Sequence, residues 1–186
     1  MLRGDLSRWY NHPDGWTLKA GVLKPRGKGD IWTKGVFEDF VLDLEFKVQD
    51  DSNSGVFLRC ASMKNWLHNS MEVQVLDSFG KENVGRHDCG AIYDCLAPTE
   101  NAARKPGEWN HYTIACDDNK VSIVLNGVQI IDMNLNKWKK PHRNPDGSKN
   151  KFNRALKTMV EAGRIGLQDH GKPFVHYRNV RVNRLD

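Results

Sequence analysis

The stretch Phe40-Val41-Leu42-Asp43-Leu44-Glu45-Phe46-Lys47-Val48 decides the fold. Apolar residues occupy every second position from Phe40 to Val48, and charged residues lie between them. Because successive side chains of a strand point to opposite faces, this alternation predicts a β-strand with one buried face and one wet face. Strands of this kind are typical of antiparallel sheets.

The segments around this strand read in the same way, as short strands separated by turns. Asn126-Gly127 lies between two apolar runs, and both residues tolerate the positive φ that a two-residue hairpin turn needs. The one helix that we predict spans residues 152–159, where apolar residues recur at helical spacing. Many short strands, one short helix and no regular alternation of strands with helices predict an all-β protein, an antiparallel β-sandwich.

Length and composition limit the class of protein. The 186 residues fit one domain, which we place at residues 1–186, and 39% of them are apolar. The charge of +5 comes from Lys and Arg spread along the chain, so it does not predict a nucleic-acid partner. No apolar run is long enough to cross a bilayer, so we expect a soluble protein with no membrane partner. The expected compartment is the cytoplasm if Met1 is native, and the periplasm or the exterior if a signal peptide was removed.

The cysteines do not predict a metal site or a disulfide framework. They lack the paired CxxC spacing of a zinc site, and a chain of this length does not need covalent staples. Cys60 and Cys116 fall on the apolar parity of strand-like runs and are expected to be buried thiols. Cys89 and Cys95 are close enough in sequence to pair in an oxidising compartment, and the sequence leaves their state open.

The densest group of positive charges lies near the end of the chain. Residues 137–157 also contain Pro141, Pro145 and Gly147, which break regular structure. We therefore interpret the segment as a solvated loop rather than a binding patch. Its basic residues are Lys137, Lys139, Lys140, Arg143, Lys149, Lys151, Arg154 and Lys157.

The candidate site lies on the strand-like run of residues 71–77, Met-Glu-Val-Gln-Val-Leu-Asp. Strand geometry places Glu72 and Gln74 on one face, opposite an apolar face that would join the core. By the same parity Glu45 and Arg59 avoid the core, and we expect them near Glu72. An Arg among carboxylates suits sugar hydroxyls and oxyanions, although a salt-bridge ladder on a wet face explains the pattern equally well.

Several stretches taken in order resemble the 3-keto-disaccharide hydrolase family. The resemblance runs from about Gly15 to Leu185, and the Lys-rich residues 137–151 depart from the family pattern. It implies a bacterial domain with a concanavalin A-like lectin and glucanase fold, a jelly-roll sandwich. The stretches are Asn53-Ser54-Gly55-Val56-Phe57-Leu58-Arg59, Met71-Glu72-Val73-Gln74-Val75-Leu76-Asp77, Gly90-Ala91-Ile92-Tyr93, Gly107-Glu108-Trp109-Asn110, Gly166-Leu167-Gln168-Asp169-His170-Gly171 and Tyr177-Arg178-Asn179-Val180.

The resemblance implies cleavage of glycosides that carry a ketone at the third sugar carbon. The ketone makes the hydrogen on the second carbon acidic, so a base can remove it and the glycosidic oxygen can leave by elimination. Water then adds to the unsaturated ketone, and the net reaction is hydrolysis. This chemistry needs a base, an acid and hydrogen-bond donors for the enolate oxygen.

We assign the two proton transfers to Glu72 and His170, without deciding from the sequence which of them is the base. His170 follows a predicted strand in a Gln-Asp-His-Gly turn, a position where loops carry function, and the less favoured alternative is that it caps its own backbone. The residues expected to bind the sugar substrate are Asn53, Arg59, Gln74, Asp77, Tyr93, Trp109, Gln168 and Asp169. Trp66 is a further aromatic residue that could stack on a pyranose ring, and each of these aromatics could equally belong to the rim or the core.

No cofactor is required by the sequence. Glu72, Asp169 and His170 supply donor types that suit a divalent metal, which would stabilise an enolate, but no tight ligand spacing demands one. The oligomeric state, the natural sugar and the linkage stay open.

Two other functions fit the same fold. Retaining glucanases carry an ExDxxE motif on a similar strand, for which this chain offers Glu72, Gln74 and Asp77. Parity places Asp77 opposite Glu72 unless a bulge shifts the register, and Gln74 weakens the analogy. The second alternative is a non-catalytic carbohydrate-binding module, because fold alone does not fix function.

Overall fold

The computed structural model describes residues 5–159 and 161–185, and within them the chain is almost entirely β. The predicted domain limits, Met1 and Asp186, lie outside the described residues. The strands are β1 Trp9–Tyr10, β2 Trp16–Lys19, β3 Val22–Pro25, β4 Ile31–Thr33, β5 Phe40–Lys47, β6 Asn53–Cys60, β7 Met71–Leu76, β8 Asn110–Asp117, β9 Lys120–Leu125, β10 Val128–Asn134, β11 Arg164–Leu167 and β12 His176–Arg184.

The strands form two antiparallel sheets. In the described residues one sheet has the order β1-β4-β11-β6-β7, and the other has the order β10-β9-β8-β5-β12-β3-β2. Apolar side chains from both sheets fill one continuous core between them. The predicted antiparallel β-sandwich is confirmed.

The strand that predicted the fold lies in the middle of the larger sheet. Buried and half-buried residues alternate along β5 from Phe40 to Lys47, and its neighbours are β8 and β12. The hairpin turn between β9 and β10 is also confirmed, because Asn126 and Gly127 have φ values of 53° and 89°. Local sequence pattern therefore positions these elements correctly.

The helix is found at a different place from the one predicted. The α-helix α1 spans Trp66–Asn69, directly after a 3-10 turn at Met63–Asn65. Residues 152–159 contain only a 3-10 turn at Leu156–Thr158. Phe152, Leu156 and Met159 reach the core from this irregular segment, so their spacing reflects burial rather than a helix. None of the helices in the described ranges has the length and apolar character needed to cross a bilayer.

The Lys-rich segment is only partly a solvated loop. Most of its lysines are exposed, but Trp138, Asn144, Asn150 and Phe152 are buried. Asn144 connects the two ends of this segment. Its side-chain amide oxygen accepts hydrogen bonds from the Trp138 indole at 2.9 Å and from the Asn150 side-chain amide at 3.0 Å. The segment packs on the sandwich as an ordered layer beside α1 and β7.

All four cysteines are buried free thiols. The Cys89 thiol lies 3.4 Å from the hydroxyl of Tyr112, and no disulfide joins it to Cys95. The burial expected for Cys60 and Cys116 is confirmed, although Cys60 packs with Trp32 and Phe57 on the outer face of its sheet.

Candidate active site

The outer face of the smaller sheet carries a row of paired residues that ends at Glu72. Directly opposed positions run from Tyr10 to Trp32, from Trp32 to Gly166, from Gly166 to Phe57 and from Phe57 to Glu72. The Trp32 and Phe57 rings stack across the glycine with their centroids 5.1 Å apart. This aromatic layer covers the sheet beside Glu72, so the polar face of β7 is not an open wet surface.

Glu72 lies at the base of a small pocket of about 170 Å³. The residue is 5% exposed, and its side chain lies across the neighbouring strand, where an added Cβ atom at Gly55 would stand 2.4 Å from Glu72 Oε1. The absence of a side chain at Gly55 therefore makes room for the carboxylate. The pocket is lined by Asn53, Trp66, Leu67, Glu72, Gln74, Tyr93, Gln168 and His170.

The carboxylate of Glu72 is paired with one cation. Lys151 Nζ lies 3.1 Å from Glu72 Oε2, and both side chains are almost fully buried. Burial raises the pKa of Glu72, and the positive charge of Lys151 partly opposes that rise. A carboxylate of raised pKa is a stronger base than one in water, which suits proton abstraction near neutral pH.

A chain of polar side chains links Gln74 to His170. The Gln74 Nε2 donates to Asn53 Oδ1 at 3.1 Å, and Asn53 Nδ2 lies 3.4 Å from His170 Nε2. Donation from the Asn53 amide requires the neutral His170 tautomer that carries its proton on Nδ1. Gln74 is 3% exposed, and its buried Oε1 has no hydrogen-bond partner. A buried acceptor without a donor is costly, so this oxygen is available to a hydroxyl group in the pocket.

Buried hydroxyl groups on the core side of the smaller sheet hydrogen-bond the strands that carry the pocket residues. Tyr112 of β8 donates to the backbone carbonyl of Gln74 at 2.8 Å. Ser54 donates to the carbonyl of Gln168 at 2.7 Å and lies 2.6 Å from the hydroxyl of Tyr177. The larger sheet therefore holds the backbone that carries Gln74 and Gln168.

Asp30 is an acid beside the site that the sequence analysis missed. It directly precedes β4 and accepts a hydrogen bond from the backbone amide of Asp169 at 2.9 Å. Burial raises the pKa of Asp30 to about 6, and the negative charges of Asp169 and Glu72 add to the rise. Position 30 shares strand parity with the outward-facing Trp32, and that was the signal that could have identified it.

Lys151 was also missed, because the solvated-loop interpretation treated all cations of residues 137–157 alike. Its partner Glu72 is 79 positions away in sequence. The neighbouring Phe152, an apolar residue in a charged segment, was the only local sign of burial at this point.

Arg59 does not lie near Glu72, and that expectation is wrong. Two residues of β6 oppose the single residue Ile165 of β11, so a bulge interrupts the parity at Arg59, whose φ is 48°. The side chain is buried at the other end of the strand. Its guanidinium donates to the carbonyls of Glu38 and Asp118 at 2.6 and 2.8 Å and to Asp39 Oδ1 at 2.8 Å.

Glu45 and Trp109 also lie elsewhere, Glu45 in β5 of the larger sheet and Trp109 directly before β8. Glu45 pairs with Arg178 and Asn179 of β12. The Trp109 ring has the guanidinium of Arg178 at 4.1 Å, which completes a cross-strand cluster of charges and one aromatic ring. The salt-bridge ladder on a wet face therefore describes this sheet and not the smaller one.

The carboxylates of Asp77 and Asp169 bind backbone amides instead of lining the pocket. Asp77 accepts from the amides of Asp51 and Phe79 at 3.2 and 3.4 Å. Asp169 Oδ2 accepts from the amides of Gly27 and Lys28 at 2.7 and 3.0 Å. Both residues fix loops at the border of the site.

The donors named for a divalent metal do not converge. Asp169 is turned toward the Gly27 amide, away from Glu72. Across residues 5–159 and 161–185, no three His, Cys, Asp or Glu side chains are close enough to hold a metal ion. The arrangement does not fit a preformed metal site, and no step is assigned to a metal.

The sequence profile of the 3-keto-alpha-glucoside-1,2-lyase-like domain matches residues 3–183. The chain belongs to this family. A curated 3-keto-disaccharide hydrolase from Bacteroides thetaiotaomicron is 26% identical over 94% of this chain and 71% of its own length.

Solved structures agree with this membership. A candidate glycosyl hydrolase from Parabacteroides distasonis is 34% identical and has a TM-score of 0.90 over 96% of this chain and 94% of its own. A second one from the same organism is 30% identical, with a TM-score of 0.72 over 97% of this chain and 80% of its own. The carbohydrate-binding module CBM66 from Bacillus subtilis is 13% identical with a TM-score of 0.56 over 96% and 97% of the two chains, which is a likeness of fold alone.

Proposed function

We propose that the protein is an enzyme that cleaves the glycosidic bond of 3-keto-glycosides by elimination followed by hydration. The observation that carries the proposal is the buried carboxylate of Glu72 at the base of the pocket, paired with a cation and within the family's sequence block. The name of the related 3-keto-disaccharide hydrolase supports the substrate class.

Glu72 is the group to which we assign proton abstraction. The base takes the proton from the second sugar carbon, the electron pair of that bond forms an enolate with the ketone, and the enolate then expels the glycosidic oxygen. Glu72 suits the first step because the ammonium of Lys151 favours its ionised form and because, being buried, the carboxylate is poorly solvated. The product of this step is an unsaturated ketone and a free leaving group.

We assign the other proton transfer to His170. It lies at the exposed rim of the pocket, on the side of Asn53. An imidazole can donate a proton to the leaving oxygen and afterwards take one from the water that adds to the unsaturated ketone. When the hydroxide of that water bonds to the first carbon, the second carbon takes a proton back from Glu72, whose acid proton exchanges with solvent. The cycle therefore balances as net hydrolysis, and both groups are restored.

The remaining pocket residues would bind and orient the sugar. The unpartnered Gln74 Oε1 needs a donor, which a sugar hydroxyl provides. Asn53 and Gln168 add amide groups for other hydroxyls or for the ketone oxygen, and Trp66 and Tyr93 offer aromatic walls for the sugar ring.

A retaining glucanase is less compatible with this geometry. The ladder between β6 and β7 runs without a shift from Asn53 to Leu58, so no bulge turns Asp77 toward Glu72. Asp77 binds backbone amides, and Gln74 occupies the central position of the glucanase motif. The second carboxylate that a retaining enzyme needs within about 5.5 Å is not supplied by this strand.

Incubation with a 3-keto-glucoside and with its unoxidised parent tests the proposal. Release of the leaving group from the keto sugar alone is the expected result. Release from the parent would favour ordinary glycosidase chemistry, and binding of either sugar without turnover would favour a binding module. Activity should survive dialysis against a chelator, because Glu72, Asp169 and His170 do not converge on one point; loss of activity with recovery on adding a divalent metal would contradict this.

A further inference from the structure

Lys151 differs from the other lysines of its segment in its surroundings. Its side chain is 10% exposed, and its ammonium lies 3.1 Å from Glu72 Oε2. Lys137, Lys139, Lys140, Lys149 and Lys157 are all exposed. A lysine loses considerable side-chain entropy when it is fixed in this way, so one buried lysine among exposed ones points to a specific partner.

The backbone around Lys151 is held by contacts within the protein. Its carbonyl accepts a hydrogen bond from Nδ1 of His68 in α1, at 2.8 Å. The next residue, Phe152, is fully buried, and its amide donates to Asn150 Oδ1 at 3.0 Å. The ammonium also lies 4.9 Å from the ring centroid of Tyr93, a pocket wall. These contacts of the segment therefore hold the ammonium of Lys151 beside the carboxylate of Glu72.

We infer that Lys151 is a positioning residue, which keeps Glu72 ionised and holds its carboxylate over Gly55. The inference rests on the proposed function in assigning proton abstraction to Glu72. It also makes residues 137–157 part of the active site, although this segment departs from the family pattern.

The charges around Glu72 show what its ionised form would lose without Lys151. Burial favours the neutral acid of Glu72. The carboxylate of Asp30, which interacts with Glu72, acts in the same direction. Among the described residues, the His170 ring at the exposed rim is then the remaining group that favours the ionised form of Glu72. The titratable groups that face Glu72 from the surrounding elements are Asp30 before β4, Tyr93 after β7, Lys151, His170 after β11 and Tyr177 of β12.

The sign of the effect of removing Lys151 follows from these charges. An opposite charge within about 4–6 Å lowers the pKa of a carboxyl group by about 1–3 units. Without Lys151 the pKa of Glu72 should rise further, and a larger share of the enzyme would hold the neutral acid, which cannot abstract a proton. The loss should be large at low pH and small at high pH.

The variants Lys151→Met and Lys151→Gln remove the charge while keeping much of the stem, and Gln also keeps a neutral hydrogen-bond donor. Lys151→Arg keeps the charge. Lys149→Met is the matched control, because Lys149 is an exposed lysine of the same segment. Circular dichroism and melting curves identify any variant that fails to fold, and the other neutral variant then provides the result.

The decisive readout is the titration of Glu72 itself, followed by infrared difference spectroscopy of its carboxyl group and assigned through Glu72→Gln. In Lys151→Met and Lys151→Gln the midpoint should rise by about one pH unit or more. It should not move in Lys151→Arg or Lys149→Met. An unchanged midpoint in a folded neutral variant overturns the inference. This measurement needs no substrate, so it stands even if the proposed reaction is wrong.

Kinetics on the 3-keto-glucoside provide the second readout. The acidic limb of kcat/KM should move upward with the infrared midpoint, so that a shift of one unit lowers activity about tenfold at pH values below the wild-type midpoint and activity recovers in alkali. An equal loss at every pH, with an unmoved midpoint, would mean that Lys151 only anchors its segment.

Discussion

Glu72 and Gly55 share one place on the sheet: the carboxylate of Glu72 occupies the space where any other residue at position 55 would carry its side chain. A Cβ atom at Gly55 would lie 2.4 Å from Glu72 Oε1 and 2.9 Å from its Cγ. Strand β7 thus carries the acid, and the glycine of the neighbouring strand β6 leaves the space that its carboxylate occupies.

Gly55→Ala should move the carboxylate and lower kcat/KM for the 3-keto-glucoside by about 100-fold, because a displacement of about 1 Å can cost that much. Stability should change much less, since a side chain and not the backbone must give way. Gly85→Ala is the control, because its Cβ would make ordinary contact with Asp88 at 3.6 Å. Full activity in Gly55→Ala would mean that the position of Glu72 is not critical.

Arg59→Met should destabilise the fold by about 3 kcal/mol, because it leaves Asp39 and two carbonyls without their buried partner. Urea unfolding monitored by tryptophan fluorescence measures the loss, and Arg181→Met, on an exposed residue of β12, should have little effect. KM measured well below the melting temperature should not change. A raised KM in a stable variant would restore Arg59 to the substrate site.

Asp30→Asn should change how stability depends on pH. The pKa of Asp30 is raised to about 6 from 3.8, so its protonated form favours the fold. The stabilisation is present below about pH 4 and is lost as the pH rises through about 6. Relative to the wild type, the variant should therefore gain melting temperature between these pH values. Parallel curves for the two proteins would show that Asp30 is not perturbed.

Gly166→Ala should destabilise the aromatic layer beside the pocket. A Cβ atom there would lie 2.5 Å from the Trp32 ring and 3.0 Å from Phe57. Overpacking of this kind costs about 1–3 kcal/mol, which differential scanning calorimetry would resolve. A combined Gly166→Ala and Trp32→Leu protein should recover part of the loss, because the smaller side chain leaves room for the methyl group.

The strands that could be predicted are those in which apolar and polar residues alternate without a break. Phe40 to Lys47 alternates without interruption, and Glu72 and Gln74 share a face because β7 has no bulge. Arg59 could not be placed in this way, since a bulge depends on the partner strand and leaves no sign in the parity of β6 itself.

The parts of the site that could not be predicted come from contacts between distant segments. The pair of Lys151 with Glu72 joins an irregular segment to a strand, and Asp30 reaches the site from a loop. No periodicity describes such contacts, and the composition of residues 137–157 argued for solvent exposure. The alternating pattern and the resemblance to the family both indicated the strand of Glu72, but neither indicated the cation beside it.

Exchange of the hydrogen on the second sugar carbon with solvent deuterium tests the central claim most directly. With the wild-type enzyme and a 3-keto-glucoside in deuterated water, the product should carry deuterium at that carbon, and a primary isotope effect should appear when the substrate is deuterated there. Glu72→Gln, folded as judged by circular dichroism, should show neither exchange nor release of the leaving group. Cleavage that retains the original hydrogen, or exchange at the wild-type rate in Glu72→Gln, would contradict proton abstraction by Glu72.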